Sequence, residues 1–145
     1  MESKEFNNLN EIQKYYDGES NTYVFKEGDE YIDLVVFNFD LDVRANIWAL
    51  DIIARNIKAS NISAGDIKVC DINANNIIAH GINAWDIRAN NITAHGIDAN
   101  NINAKDITYY AVCYAYFNIT CNSIKGILKN AKHFVLDGKL EVGNE

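Results

Sequence analysis

The feature that most constrains this sequence is a five-residue period, which runs without insertion or deletion from Asn46 to Asp106. Each unit reads Asn, Asp or Gly, then Ile, any residue, Ala and any residue, and Val69 is the one exception in the Ala slot. A period of five matches neither an α-helix, at 3.6, nor a continuous strand, at 2. The chain must therefore turn once in every unit, and the repeat predicts a solenoid.

The residue types within the unit indicate which positions face inward. Ile and Ala lie two positions apart, so in an extended segment they point to the same side. Asn, Asp and Gly tolerate the turn conformations that a corner requires, and Asn and Asp also bond to local backbone. The unit therefore predicts a short strand with inward Ile and Ala, followed by a corner. Stacking of such coils buries the apolar column, and apolar residues make up 48% of the chain, which excludes wholesale disorder.

The repeat resembles the pentapeptide-repeat family, whose units read Ala-Asp/Asn-Leu-x-x. The shared elements are the period and the dipeptides Asp51-Ile52, Asp71-Ile72 and Asn91-Ile92. The resemblance covers roughly residues 45–124 and implies a right-handed parallel β-helix with four units per coil. In this chain Ala follows the large aliphatic residue instead of preceding it. The sequence is also similar to uncharacterised bacterial and phage proteins rich in Asp-Ile-x-Ala-x repeats.

Two spacings in the sequence give different coil sizes. His80-Gly81-Ile82 recurs fifteen residues later as His95-Gly96-Ile97. That spacing would stack the two histidines in a three-sided coil and align a ladder of asparagines at positions 46, 61, 76 and 91. Asp66, Asp86 and Asp106 instead favour twenty residues. Because the resemblance implies four units per coil, four-sided coils are favoured over three-sided ones.

The two ends of the chain predict caps around the repeat, and we divide the chain into an N-terminal cap at 1–44, the five-residue-repeat β-helix at 45–124 and a C-terminal cap at 125–145. Asn8 and Glu11 form a capping-box pattern that predicts a short helix with Leu9, Ile12 and Tyr16 on one face. Capping strands follow, including one long strand through the alternating residues 35–47. A terminal hairpin is expected from residues 133–136 and 139–142.

An aromatic stretch follows the regular repeat. Continuing the phase puts Val112 and Phe117 in the Ile slot, and a widening or closing coil is expected here. The aromatic residues pack in the C-terminal cap or form a self-association surface, since tyrosine is enriched at interfaces. The candidate self-association residues are Tyr109, Tyr110, Tyr114, Tyr116 and Phe117.

The charge is distributed unevenly along the chain. Residues 1–44 carry 11 acidic against 4 basic residues, residues 45–108 carry 6 against 5, and residues 109–145 carry 3 against 4. A rod that mimics DNA would require dense negative charge, so the cap and not the rod is the predicted partner-binding surface. Its candidate residues are Glu27, Asp29, Glu30, Asp33, Asp40 and Asp42.

The sequence contains no pattern typical of a catalytic, metal or cofactor site. His80 and His95 lack a third ligand, and the odd set Cys70, Cys113 and Cys121 has no Cys-x-x-Cys spacing and predicts free thiols. No apolar run reaches the length of a membrane span, and the first residues differ from a secretory signal. We therefore expect a cytoplasmic bacterial or phage protein that is not an enzyme, needs no cofactor and contacts no membrane.

The resemblance implies a functional class, because some pentapeptide-repeat proteins mimic duplex DNA and occupy topoisomerases. The main hypothesis is a protein-binding inhibitor or decoy that acts through its acidic cap on nucleic-acid-handling machinery, such as a topoisomerase or a CRISPR-type defence nuclease. Such an anti-CRISPR or DNA-mimic protein binds a nucleic-acid-binding enzyme and not nucleic acid itself. The alternative is a self-associating structural scaffold that forms a homodimer through the aromatic C-terminal end.

Overall fold

Stacked parallel strands confirm the predicted β-helix. The structure is a computed structural model that describes residues 3–143, and in it the chain forms a nearly all-β solenoid of about six turns. The elements, in chain order, are β1 (Ser3–Phe6), a 3-10 helix (Leu9–Tyr15), β2 (Tyr16–Asp17), β3 (Thr22–Val24), β4 (Lys26–Glu27), β5 (Glu30–Tyr31), β6 (Leu34–Phe37), β7 (Leu41–Asp42), β8 (Asn46–Trp48), β9 (Asp51–Ala54), β10 (Asn56–Ser63), β11 (Asp66–Lys68), β12 (Asp71–Cys121), β13 (Ser123–Gly126), β14 (Lys132–Val135) and β15 (Leu140–Val142).

The coil has three sides, so the preference for four-sided coils was wrong. Ile57 pairs with Ile72, and Ile62 with Ile77, each fifteen residues later. Fifteen residues are three units. The corner residues explain this coil size, because an offset of fifteen residues places the side-chain amide of one asparagine directly over that of another. It also sets Gly81 over Asp66, where an added Cβ would lie 2.9 Å from the Asp66 carboxylate.

The inward slots form the core, as the unit pattern predicts. All thirteen isoleucines of the Ile slot are buried, and so are most residues of the Ala slot, including Val69. In-register stacking places Ile on Ile and Ala on Ala in successive coils, for example Ala59 on Ala74. Burial of each isoleucine side chain contributes about 1.5–3 kcal/mol, so the isoleucine column is a major source of the solenoid's stability.

The long strand predicted over residues 35–47 does not exist as one strand. Its residues are divided among β6, β7 and β8, which pair with three different segments of the next coil: β6 with β9, β7 with the start of β10 and β8 with the end of β10. Inward residues such as Val35, Leu41 and Val43 are nevertheless buried. Alternation therefore continues through the corners, which is why the sequence pattern resembles a single strand.

A short helix closes the N-terminal end, as predicted, but with a different buried face. Asn8 Oδ1 accepts a hydrogen bond from the Glu11 backbone N–H at 3.2 Å, which confirms the helix start. The helix is of the 3-10 type, with three residues per turn, so Ile12 and Tyr15 are buried together, whereas Leu9 is exposed. The predicted face of Leu9, Ile12 and Tyr16 was therefore wrong. The Tyr15 ring packs against Phe25, with ring centroids 5.1 Å apart.

The coils widen toward the C-terminus, and the repeat loses its phase. The offset between paired residues grows from fifteen to seventeen at Ile107 and Ile124, and to twenty-one at Ile119 and Leu140. The residues that face inward are now Cys113, Ala115, Ile119 and Cys121, whereas Val112 and Phe117 are exposed. The expected continuation of the Ile slot through Val112 and Phe117 was therefore wrong.

The last coil is not the predicted hairpin. β14 and β15 do not pair with each other, because β13, β14 and β15 each run parallel to a part of β12. They form three successive sides of one more coil. Gly126 gives this coil room over the Tyr109 ring, since an added Cβ would lie 3.0 Å from that ring and 2.5 Å from the Ala131 Cβ.

Candidate interaction surfaces

Side-chain ladders occupy the corners of the solenoid. Asn61 Nδ2 donates to Asn46 Oδ1 at 2.8 Å, Asn76 to Asn61 at 2.7 Å and Asn91 to Asn76 at 2.8 Å. The expected asparagine ladder is therefore formed. Asn61 and Asn76 each donate to the amide below and accept from the amide above, so this corner stabilises the stacking of coils.

The two histidines stack on each other. The His80 and His95 rings lie 4.5 Å apart with an angle of 10° between their planes, and Tyr110 continues the stack 4.4 Å from His95. The nitrogen lone pairs of two stacked rings lie in parallel planes, so they do not converge on one ion. In the part of the chain that the structure describes, no three His, Cys, Asp or Glu residues are close enough to hold a metal ion.

The cysteines are free thiols, as predicted. Cys113 and Cys121 are buried in the core and Cys70 is half-buried. Burial raises the pKa of the Cys113 thiol to about 12 and also raises the pKa of the Cys121 thiol. These two core thiols are therefore protonated and inert at neutral pH.

Glu27, one of the six predicted acidic residues, is bonded to residues of β1 and of the 3-10 helix. Its carboxylate accepts hydrogen bonds from Lys4 and from the Tyr15 hydroxyl, the latter at 2.6 Å, and lies 3.7 Å from Lys14 Nζ. The Lys4 hydrogen bond and then the Tyr15 hydrogen bond lower the pKa of Glu27 to about 2. This carboxylate therefore joins the β4–β5 hairpin to β1 and to the helix, in addition to any role in binding.

We expect the contribution of Glu27 to be lost in acid. A carboxylate whose pKa is lowered in the folded state stabilises that state above its unfolded pKa, near 4.5, and loses the effect as the pH falls toward 2. The difference in Tm between wild type and Glu27→Gln should be present at pH 6 and vanish near pH 2. Glu19→Gln, at an exposed turn position, is the control and should show no such difference. A difference that is constant from pH 6 to pH 2 would contradict the assignment.

The other acidic residues are divided between two places. Asp29 and Glu30 are exposed on the β4–β5 hairpin, which forms a sheet separate from the solenoid. Asp40 and Asp42 instead lie on one side of the first coil, where Asp40 accepts a hydrogen bond from Asn56 Nδ2 at 3.0 Å. Asp33, the sixth, is half-buried. Among the six predicted residues, Asp29 and Glu30 are thus exposed carboxylates that lie outside the solenoid sheet.

A polar groove of about 710 Å³ runs along the side that holds Asp40 and Asp42. Carboxylates alternate along it with cations such as Lys58 and Arg88, so it has no dominant charge. The mixed lining agrees with the near-neutral balance of residues 45–108 and does not resemble the phosphate array of DNA.

The last coil leaves part of the apolar core uncovered. Leu140 pairs in register with the buried Ile119, and Val142 with the buried Cys121, so both side chains point toward the coil interior. Yet Leu140 is 39% and Val142 45% exposed. No further strand of residues 3–143 pairs with the outer edges of β13, β14 and β15. This end therefore exposes both apolar side chains and free backbone hydrogen-bonding groups.

Of the aromatic residues proposed for self-association, Tyr109 cannot take part. It is 1% exposed, and its hydroxyl is hydrogen-bonded to His133 Nδ1 at 2.8 Å. Tyr114 is half-buried, whereas Tyr110, Tyr116 and Phe117 are exposed. The residues of the uncovered end that sequence reasoning missed are Ile127, Leu128, Phe134, Leu136, Leu140 and Val142. Phe134 lies in β14 and Leu140 and Val142 in β15, whereas Ile127, Leu128 and Leu136 lie outside the strands, and no five-residue pattern marks any of them.

A scan against protein-family models, a search of curated proteins and a search of solved structures each found no match. The architecture is that of a β-solenoid and is compatible with a pentapeptide-repeat-like fold. Within residues 3–143, no helix has the length and apolar character needed to cross a membrane.

Proposed function

We propose that this protein is a non-enzymatic structural scaffold that associates with itself through its last coil. The uncovered end of the core carries this proposal, because Leu140 and Val142 point inward and remain exposed. Contiguous apolar patches of this kind mark association sites in proteins. Unpaired strand edges beside the patch add backbone groups that a second chain can pair with.

The side faces of the rod contrast with this end. Their exposed apolar residues, such as Ile78 and Trp85, lie on coils that are covered above and below by other coils. An isolated exposed apolar residue is common on protein surfaces and needs no partner. The last coil instead combines apolar residues from all three of its sides, which favours it as the association surface.

Light scattering after size exclusion tests this proposal. Wild type should be larger than a monomer at micromolar concentration, and Val142→Lys should be monomeric because it introduces a charge into the buried contact. Ile78→Lys is the matched control, since it introduces the same charge at an exposed aliphatic position on a side face, and it should leave the mass unchanged. Circular dichroism verifies that both variants fold. A wild type that is monomeric at all concentrations would overturn the proposal.

A second candidate function is the inhibitor or decoy that acts on nucleic-acid-handling machinery, as the resemblance to pentapeptide-repeat proteins implies. The observation that favours it is the exposed acid of Asp29 and Glu30 on a hairpin outside the solenoid sheet. A basic groove that normally holds DNA would be the complementary surface.

A pull-down from bacterial lysate, with mass spectrometry and duplex DNA as competitor, tests the second candidate. The captured protein should be a nucleic-acid enzyme that the DNA displaces, and Asp29→Lys/Glu30→Lys should abolish the capture. Asp98→Lys, a charge reversal at an exposed position on the rod, serves as control and should have little effect. Capture that survives the hairpin reversal would exclude this mode of binding.

A further inference from the structure

We infer that association through the last coil is closed: two copies meet end to end about a two-fold axis and form one rod with an acidic N-terminal cap at each end. This inference rests on the proposed self-association and specifies its partner as a second copy of the chain, which contacts the first through the same last coil. It follows from the difference between the two ends of the solenoid.

The N-terminal end is sealed. The Tyr15 ring of the 3-10 helix packs against Phe6 and Phe25, and Ile12 of the same helix is fully buried, so this helix covers the inward residues of the first coil. The edge strands β2 and β7 are only two residues long and each carries an acidic residue, while the edge strand β1 carries two charged residues. Short or charged edge strands oppose pairing with another chain. This end therefore offers neither an apolar contact nor an uncharged edge.

The C-terminal end is open on all three sides. β13, β14 and β15 are three to four residues long and pair only with β12. Two identical coils that face each other across a two-fold axis run in opposite directions, so their strands meet antiparallel. Antiparallel edges can form direct backbone hydrogen bonds while Leu140, Val142 and their neighbours cover one another.

Closure follows because only one end is available. A head-to-tail contact would need the sealed end and would continue into a filament, whereas a two-fold contact uses both open ends and stops at two. Charge agrees with this arrangement. Residues 109–145 hold four lysines against three acidic residues, so two such ends meet without strong repulsion. Residues 1–44 carry the acid surplus and are kept at the far ends.

The resulting particle is bivalent. Six turns at about 4.8 Å each give a rod of roughly 30 Å per copy, so the N-terminal caps of a pair lie about 60 Å apart. A partner with two basic sites at this separation would bind more tightly than one with a single site, because the second contact is intramolecular. A scaffold of this design holds two partners at a fixed distance.

Spin-label distances in the full chain test the closed arrangement. In a Cys70→Ser background the remaining cysteines are buried, so a label can be attached at Glu19→Cys, near the N-terminal end, or at Lys129→Cys, in the last coil. Labels at 129 should give an intermolecular distance below about 30 Å, and labels at 19 one of about 60 Å, given the spacing of stacked coils. Adding Val142→Lys should abolish both distances.

Sedimentation of the same samples separates the two levels of the proposal. A monomeric wild type would overturn the self-association and the closed arrangement together. A mass that grows beyond two copies with concentration, or a short distance between a label at 19 and a label at 129 on different chains, would leave self-association standing and overturn the two-fold arrangement. A stable dimer with the two predicted distances supports it.

Discussion

Ile77→Ala should lower the free energy of unfolding by about 2–5 kcal/mol, whereas Ile78→Ala should change it by less than about 0.5 kcal/mol. Ile77 is 1% exposed and stacks on Ile62 of the preceding coil, so truncation removes buried area and leaves a cavity between coils. Ile78 is 57% exposed and faces solvent. Urea denaturation followed by circular dichroism measures both changes.

The pair of variants is a matched comparison, because the two residues are adjacent and lose the same atoms. The difference between their losses in the free energy of unfolding therefore reports whether each side chain faces the core or the solvent, and not the general helix or strand propensity of the residue. Equal losses at the two positions would contradict the inward assignment of the Ile slot, and with it the interpretation of the repeat.

Tyr109→Ala should also destabilise the protein strongly, by about 3–5 kcal/mol, as for other buried aromatic residues. The Tyr109 ring fills the Ala slot where the coil widens, and its hydroxyl bonds to His133 of the last coil. Tyr109→Phe keeps the ring and removes that hydrogen bond, so the expected loss is about 1 kcal/mol. Thermal and urea unfolding measure both variants.

Tyr110→Ala is the control for this series. Tyr110 is exposed and contacts the His95 ring, so its loss should cost only about 0.5–1.5 kcal/mol, the range of an aromatic pair. If Tyr109→Ala instead abolished self-association with full stability retained, the core placement of Tyr109 would be wrong. The comparison therefore shows whether Tyr109 acts through core packing or through self-association.

The candidate surfaces were only partly predictable. Charge counting placed the acid surplus in residues 1–44, but it did not show that Glu27 is held by Lys4 and Tyr15 or that Asp40 is hydrogen-bonded to Asn56. The aromatic stretch suggested a C-terminal association surface, yet the residues that the structure leaves uncovered are chiefly aliphatic ones of the last coil, such as Leu140 and Val142. Exposure at an open end depends on whether another strand lies over it, and residue types do not encode that.

The sequence by itself determined the solenoid, its inward Ile and Ala columns, its corner residues and its free thiols, because each of these depends on chemistry within one five-residue unit. Only the tertiary structure decided how many units close a coil. The same inward pattern fits three or four sides, and the choice depends on contacts between residues fifteen apart, such as the amides of Asn61 and Asn76. The tertiary structure also decided that residues 35–47 bend around corners and that the last coil ends uncovered, since both depend on which strand lies on which neighbour.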